Sequence, residues 1–455
     1  MRQLRPVSRL RGEGRAVPLP GRRIEQRQRL IRKKKAGNRG ERGKKKPPAG
    51  RREAVGSFEY TFLVTVTLML LAVGVVMVFS ASWANAYFGN QDSYFYLKRE
   101  LIYALIGLVL MFALARFDFM RLRKLSPLLM LVSVGLLVLV FIPGFGSCAK
   151  GACRWLGFGP FTFQPSELAK LSTVLFVAAV LQSRPRLLAS VKDMLLPLLA
   201  LPAVACVLIL VEPDMGTAIA IMVTVAAMLF IAGTRLRDLA LMGAVTSLAA
   251  LPFIILFPYR MARITAFINP WQDARDSGFQ VIQSLVALGS GGLFGVGIGK
   301  SIQKFSYLPE AHTDMILSII GEEMGLIGVL VIIAAYAALA YVGFRIALQS
   351  KNLYGKYVAG GITSLLISQA VINACAVMGL LPLTGIPLPI ISYGGSSLVV
   401  ILSSIGILLN IAVNPRGKIA ARPSRKFRAI EGGNRSRGHG RAPGSRSGAG
   451  RRAQG

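Results

Sequence analysis

Residues 59–80 read EYTFLVTVTLMLLAVGVVMVFS, with one acid, Glu59, at the edge of an otherwise uncharged run. A helix that crosses a bilayer needs about 20 mostly apolar residues, and this run meets that length. The sequence therefore predicts an all-α polytopic membrane protein with about ten transmembrane helices, the eighth long enough to be tilted or divided. The nine further runs are 98–115, 127–142, 168–182, 194–211, 215–233, 239–258, 314–342, 357–380 and 396–413.

The charge of the chain lies mostly in its two ends. The formal net charge is +34, yet 53% of the residues are hydrophobic. Residues 1–56 carry 20 basic and 4 acidic residues, and residues 414–455 carry 12 basic residues and one acid. Both segments are too polar to form a core, so we predict disordered basic tails around a membrane domain at 57–413. Attraction to anionic lipid headgroups explains the tails better than nucleic-acid binding.

The basic residues of the short loops predict the orientation. Lys and Arg concentrate in cytoplasmic loops. With ten spans, these residues fall on the same side as both tails, which places both termini in the cytoplasm of a bacterial inner-membrane protein. They are Arg116, Arg121, Arg123, Lys124, Arg184, Arg186, Lys192, Arg235, Arg237, Arg345, Lys351 and Lys356.

The outward side then receives the loops that hold the candidate chemistry. Loop 259–313, between helices 7 and 8, is the longest at about 55 residues, and long ordered loops are usually functional. Loop 143–167 contains Cys148 and Cys153, which could form a disulfide on an oxidising side of the membrane; the spacing alone does not decide this. Cys206 and Cys375 lie inside predicted spans and are typical packing residues.

Four polar stretches stand near the outward ends of the spans. Glu167 and Lys170 are three residues apart on one helical face, which suits an ion pair at a span end as well as a functional pair. Glu212 and Asp214 occupy a tight turn, which could equally be solvated. Residues 387–397 combine Pro, Gly and hydroxyls, including Ser392, and suit a re-entrant segment. The long loop supplies the fourth stretch.

The long loop carries most of the candidate charges. His312 could act as a base, although in its Pro-Glu-Ala-His-Thr-Asp setting it more often orients a loop by hydrogen bonds. Arginine matches phosphate oxygens well, so the basic residues near the outward face are candidates for holding a phosphate group. These candidates are Arg154, Lys170, Arg260, Arg263 and Lys304.

Five separated motifs together resemble the SEDS family (shape, elongation, division and sporulation), to which FtsW, RodA and SpoVE belong. The resemblance covers nearly all of 57–413 and is closer to the FtsW type than to the RodA type. The sequence departs from the common pattern at Glu212 and at Cys153. The motifs are GACRWL at 151–156, QPSELAK at 164–170, EPDMGT at 212–217, YLPEAHTD at 307–314 with GEE at 321–323, and PIISYGGSS at 389–397.

The resemblance implies a peptidoglycan glycosyltransferase that polymerises lipid II outside the cytoplasmic membrane during septal wall synthesis. It implies a catalytic aspartate in loop 259–313, which matches Asp273, acting as general base. Substrate-binding positions would be the basic residues above with Glu167, His312, Asp314 and Ser392. A class B penicillin-binding protein and other division proteins are the implied partners. A divalent cation, Mg²⁺ or Mn²⁺, could assist, and no ligand spacing requires it. Ten spans fit a lipid II flippase on physical grounds alone, and a RodA-like elongation polymerase is the other alternative.

Overall fold

The computed structural model describes residues 50–90, 92–149, 152–158, 161–184, 195–274, 278–305, 308 and 310–414. The first described helix begins at Gly50, inside the segment that we predicted to be a disordered tail. The rest of the two predicted tails, 1–49 and 415–455, lies outside the described residues.

The described part of the chain is built mainly from helices. A π-helical turn at Leu195–Leu199 leads into α5, and a 3₁₀ turn at Pro270–Asp273 follows α8. The helices are α1 (Gly50–Asn90), α2 (Phe95–Arg116), α3 (Phe119–Val140), α4 (Pro165–Ser183), α5 (Ala200–Val211), α6 (Met215–Ala232), α7 (Leu236–Ile255), α8 (Pro258–Ile268), α9 (Phe279–Ser290), α10 (Ile316–Gln349), α11 (Leu353–Val377) and α12 (Gly395–Val413).

Each of the ten predicted apolar runs coincides with one of these helices, and α8 and α9 lie in the long loop. Helix α3 begins eight residues before the predicted start, because the Asp118 carboxylate accepts a hydrogen bond from the Met120 N–H at 3.0 Å and caps it. In the described residues, seven helices are long and apolar enough to cross a membrane. The chain is therefore a multi-pass membrane protein, and the count of ten crossings stays a prediction.

Helix α10 is divided at Gly325, as its length had allowed. Gly325 has a φ of +67°, and a Cβ there would lie 2.4 Å from the Gly295 nitrogen. The glycine-rich segment 291–297 fills the break, since Val296 N donates to Glu322 O at 2.9 Å and Leu326 N donates to Gly292 O at 2.9 Å. Non-helical backbone inside a membrane span thus keeps its hydrogen bonds.

Loop 143–167 contains a small sheet that the sequence did not predict. Strands β1 (Gly146–Ala149), β2 (Ala152–Phe158) and β3 (Phe161–Phe163) pair antiparallel in that order. Cys153 is disulfide-bonded, and the residue opposite it in the β1–β2 register is Cys148. The sheet ends two residues before α4, so it fixes how the chain enters that helix.

Three helices form the interior of the bundle. Of the 18 most apolar consecutive residues in each helix, 78% are buried in α4 and 72% in each of α11 and α12, against 28% in α3. Hydroxyls on buried faces bond to their own helix, as Thr363 does to Ala359 O at 2.8 Å. At Gly406, a Cβ would lie 2.4 Å from Met111 O, so α12 and α2 pack backbone to backbone. The interior therefore offers a rigid frame for polar groups at the helix ends.

Candidate active site at the predicted outward ends of the helices

The end of α5 and the turn that follows it, Leu210–Asp214, form a meeting point of distant segments, which we call the α5–α6 turn. Arg154 of β2 donates to Glu212 O at 2.9 Å and to Pro213 O at 2.6 Å. Arg260 of α8 donates to Leu210 O at 2.5 Å. Charge-assisted hydrogen bonds of this kind are stronger than neutral ones. Two predicted phosphate ligands are thus brought to one turn.

Asp214 joins this turn to the beginnings of three helices. Its carboxylate accepts a bond from Thr217 N at 3.1 Å, which caps α6, and one from Gln164 Nε2 at 3.4 Å. Gln164 N in turn donates to Ser396 Oγ at 3.3 Å. The N-termini of α4, α6 and α12 therefore lie close together. Helix N-termini favour anions, so this corner suits a negatively charged ligand.

The Glu212 carboxyl is the least satisfied group of the turn. Its residue is 1% exposed, and neither carboxyl oxygen has a hydrogen-bond partner among the described residues. Burial raises the pKa of Glu212 to about 8; the charge of Asp214 adds to this rise and that of Arg154 opposes it. The next residue, Pro213, has a φ of +32°. Backbone strain and an unpaired buried acid thus occur side by side.

Asp314 and Arg263 flank the segment before α12. Arg263 Nη1 donates to Leu383 O at 2.7 Å, and a Cβ on Gly385 would lie 3.8 Å from Asp314 Oδ2 and 3.9 Å from Arg263 Nη1. Burial raises the pKa of Asp314 to about 6, Glu310 adds to the rise, and Arg263 opposes it. The structure therefore brings these two predicted site residues together.

Segment 383–386 also connects Asp314 to the α5–α6 turn. A Cβ on Gly216, in the first turn of α6, would lie 2.6 Å from Thr384 O. Asn373 Nδ2 donates to Asp314 O at 2.7 Å and to Ile386 O at 2.9 Å. Asn373 was not among the predicted site residues, although a polar amide inside a predicted span is itself a signal.

The predicted contact between Glu167 and Lys170 is confirmed. Lys170 Nζ lies 2.8 Å from Glu167 Oε1, and both side chains are almost fully buried. The second carboxylate oxygen of Glu167 and the hydroxyl of Ser166 have no hydrogen-bond partner among the described residues. Glu167 lies in the first turn of α4, three residues after Gln164 and so next to the corner described above, and Lys170 lies in the second turn.

His312 and Ser392 have clear structural partners. The Tyr393 N–H donates to His312 O at 2.9 Å, and the His312 ring lies 4.5 Å from the Tyr96 ring, measured between centroids. Ser392 Oγ accepts a hydrogen bond from Leu388 N at 2.8 Å. The Ser392 hydroxyl therefore closes its own turn, and its contact with substrate stays a prediction.

Lys304 departs most from its predicted role. Its side chain is fully buried, and Nζ lies 3.3 Å from Glu323 Oε1. Glu323 also accepts hydrogen bonds from Ser80 Oγ at 2.7 and 2.8 Å, while Ser301 bonds the neighbouring Glu322. We call these five residues the Lys304 cluster. An ammonium group that is buried and paired is not available to a phosphate, which speaks against the predicted phosphate contacts of Lys304 and of Lys170.

Asp273 lies at the end of the 3₁₀ turn that follows α8, with its side chain exposed. Its carbonyl accepts a hydrogen bond from Gly278 N at 3.0 Å. The carboxylate is thus presented from the loop that also carries Arg260 and Arg263. Trp271, two residues earlier, is 69% exposed. The loop therefore carries an accessible acid on an ordered turn.

The predicted divalent cation finds no ready-made set of protein ligands. Among the described residues, no group of three or more His, Cys, Asp or Glu is placed to hold a metal ion.

The comparisons with known proteins agree on one family. A family model described as "Cell cycle protein", for FtsW, RodA and SpoVE, matches residues 60–417. Stage V sporulation protein E of Bacillus subtilis is 44% identical over 350 residues, 77% of this chain and 96% of that protein. A probable peptidoglycan glycosyltransferase FtsW of Geobacter sp. is 43% identical over 355 residues, 78% of this chain and 97% of that protein.

Solved structures show the same fold. A chain from a structure on the coordination of polymerization and crosslinking by a peptidoglycan synthase complex is 32% identical, with a TM-score of 0.64, covering 78% of this chain and 97% of that one. The Thermus thermophilus rod shape determining protein RodA is 30% identical, with a TM-score of 0.58, covering 78% and 96%. The chain belongs to the FtsW, RodA and SpoVE family, the SEDS family that its motifs resemble.

Proposed function

We propose that this protein is a peptidoglycan glycosyltransferase that polymerises lipid II on the outer face of the cytoplasmic membrane. The enzyme class is the one named for its FtsW relatives at about 43% identity. The observation that carries the proposal is the loop after α7. It presents an accessible carboxylate, Asp273, and sends two arginines, Arg260 and Arg263, into a corner where three helix N-termini meet.

Asp273 suits the role of general base. In the proposed reaction, a sugar hydroxyl of the acceptor attacks the anomeric carbon of the donor. The new C–O bond forms as the bond to the lipid diphosphate breaks, and the hydroxyl proton passes to the Asp273 carboxylate. Such proton transfer contributes typically about 10²–10⁴-fold to a rate. The exposed position of Asp273 allows a substrate hydroxyl to reach it.

The departing diphosphate needs positive charge. Arg154, Arg260 and Arg263 each donate to a main-chain carbonyl, and these contacts fix the guanidinium groups in place. Preorganised donors of this kind stabilise the charge that develops in a transition state. We assign the diphosphate to these arginines and to the N-termini of α4, α6 and α12. The buried Glu167–Lys170 pair lies beside this corner and would shape its inner wall.

An apolar groove between α1 and α2 fits the hydrocarbon part of the substrate. Its volume is about 500 Å³. Only aliphatic side chains line it, so it would hold a polyprenyl chain by burial rather than by hydrogen bonds. The lining residues are Leu68, Leu71, Ala72, Val75, Leu101, Ala104, Leu105 and Leu108.

The cellular setting is also part of the proposal. We infer that both termini are cytoplasmic, that the long loop faces outward, and that the protein acts at the division septum with a class B penicillin-binding protein and other division proteins. The likeness to a chain of a complex described as joining polymerization with crosslinking supports a transpeptidase partner. The resemblance of the loop motifs to FtsW supports the septal role.

The decisive experiment replaces the proposed base. Purified Asp273→Asn protein and the wild type are each incubated with lipid II in detergent, and glycan strands are separated by gel. We expect the rate to fall at least about 100-fold in the variant, because the proton acceptor is lost. Asp92→Asn is the matched control, since Asp92 is another carboxylate near the predicted outward face, paired with exposed Lys98.

Each outcome has a distinct meaning. Normal strands from a folded Asp273→Asn protein would remove Asp273 from the role of base. If the wild type itself made no strands under conditions where the protein stays folded, the polymerase proposal would fail. The flippase alternative would then be tested by transfer of lipid II between the leaflets of a vesicle.

A further inference from the structure

The α5–α6 turn contains an acid that its surroundings do not accommodate as an anion. Glu212 is 1% exposed, and its two carboxyl oxygens have no hydrogen-bond partner among the described residues. Arg154, whose positive charge favours the ionised carboxylate, donates to the Glu212 and Pro213 carbonyl oxygens instead of to the carboxylate. Among the described residues, no ion pair includes Glu212.

The other charged groups around Glu212 do not stabilise its ionised form. Asp214, in the same turn, repels a second negative charge, and its own carboxylate is already bonded to Thr217 N and Gln164. Arg260, from α8, donates to the carbonyl of Leu210 in this turn. An ionised carboxylate buried without a partner is strongly disfavoured, so the group takes up a proton instead.

We propose that Glu212 works as a neutral carboxylic acid that positions the α5–α6 turn, and that its ionisation disables the site. The turn carries the anchors of Arg154 and Arg260 and the Asp214 link to α4. A negative charge at Glu212 would draw Arg154 away from the two carbonyls and repel Asp214. Glu212 is thus a positioning residue, because it acts through the arginines and the helix ends. The activity part of this inference rests on the proposed polymerase function.

The strained backbone at this turn supports the same conclusion. Pro213 has a φ of +32°, far from the value of about −65° that the proline ring prefers. Such strain persists only where surrounding contacts over-determine it. Here the two bonds from Arg154 on either side of the Glu212–Pro213 peptide supply that restraint. Loss of these bonds would let the turn relax.

The test compares the wild type with Glu212→Gln, whose amide has the shape and the neutral charge of the protonated acid. Polymerisation of lipid II is measured between pH 6 and pH 10. We expect the wild-type rate to fall about tenfold per pH unit above about pH 8, as for a group active only in its protonated form. The Glu212→Gln rate should lack this fall, and Asp92→Asn should keep the wild-type profile.

A second measurement does not depend on activity. The folded protein holds the proton of Glu212 up to a pKa of about 8, whereas an unfolded chain releases it near 4.5. Wild-type stability should therefore decline between these two values relative to Glu212→Gln. The difference in melting temperature should be small at pH 4.5, grow up to pH 8, and stay constant above it.

The two readouts separate the possible failures. A melting difference that does not change with pH would overturn the neutral state of Glu212, whatever the activity. A growing melting difference with identical alkaline profiles would overturn the link to the site. If the wild type made no strands at all, the polymerase proposal would fail, and the melting series would still decide whether Glu212 is neutral in the folded protein.

Discussion

Two buried polar clusters lie near the predicted outward ends of the helices, and they differ in how well their charges are paired. In the Lys304 cluster, the ammonium meets Glu323 at 3.3 Å and Ser80 donates to the same carboxylate. In the α5–α6 turn, the arginine donors go to main-chain carbonyls, and the Glu212 carboxyl is left without a hydrogen-bond partner. Glu212 and Glu323 are each 1% exposed, so burial alone does not explain the difference.

The difference separates structural from functional charge. A buried ion pair whose hydrogen bonds are complete holds its segments together and resists change. A buried acid without partners costs free energy, and such groups persist mainly where a site needs them. We therefore assign the Lys304 cluster to folding, where it ties α1 and the loop before α10 to the break in that helix. We assign the α5–α6 turn to the proposed active site.

The largest expected effect is on the paired cluster. Glu323→Gln removes the negative partner of fully buried Lys304, and we expect a loss of about 3–5 kcal/mol of unfolding free energy, because an uncompensated charge remains buried. The measurement is denaturant unfolding of the purified protein in detergent micelles. Polymerisation per folded molecule should change much less than stability.

The matched control removes both charges. Lys304→Met combined with Glu323→Gln leaves no buried ammonium, and replacement of a whole pair is often close to neutral. We expect the double variant to recover more than half of the stability lost by Glu323→Gln. Lys304→Met alone completes the series. If the stability lost by the double variant equalled the sum of the losses of the two single variants, the two groups would not be paired in solution.

Removing the charge of Asp314, which lies in the proposed active site, should stabilise the protein, whereas Glu323→Gln should destabilise it. Burial raises the pKa of Asp314 from 3.8 to about 6, so the folded state resists its ionisation. The stability of the folded protein is unaffected by Asp314 below about pH 4, where the group is protonated in both states, and it declines as the pH rises to about 6. Asp314→Asn should therefore stabilise the protein above pH 6, by up to about 3 kcal/mol. Unfolding at pH 4 and pH 7 measures it, and a destabilised variant at pH 7 would place Asp314 with the paired cluster.

Local features of the fold could be predicted from the sequence. Each apolar run lies over a helix, because a span must satisfy its backbone internally and cover itself with apolar side chains. The contact between Glu167 and Lys170 follows from a spacing of three residues on one helix. The start of α3 was missed because Asp118 lies ahead of the apolar run and acts as a cap, whereas the prediction followed hydropathy.

Long-range pairing could not be predicted in the same way. Ser80 and Glu323 are 243 residues apart, and Arg154 is 58 residues from Glu212, so no spacing rule relates them. Lys304 was therefore predicted to bind phosphate from its charge and loop position alone. The strands of 146–163 were missed for a similar reason, since short strands depend on cross-strand pairs more than on propensity. The expected base, Asp273, came from the family resemblance, and its role stays a proposal.

The smallest expected effect concerns the backbone that supports the Lys304 cluster. Gly325→Ala introduces a side chain where φ is +67° and where a Cβ would lie 2.4 Å from Gly295 N. We expect a loss of about 1–3 kcal/mol from backbone strain, measured by unfolding in micelles. Gly135→Ala is the control, because Gly135 lies inside α3 with no heavy atom within 4 Å of its Cβ position. Alanine at position 135 should raise the free energy of unfolding by about 0.5–1 kcal/mol. If both variants were equally stable, the break in α10 would not depend on a glycine at position 325.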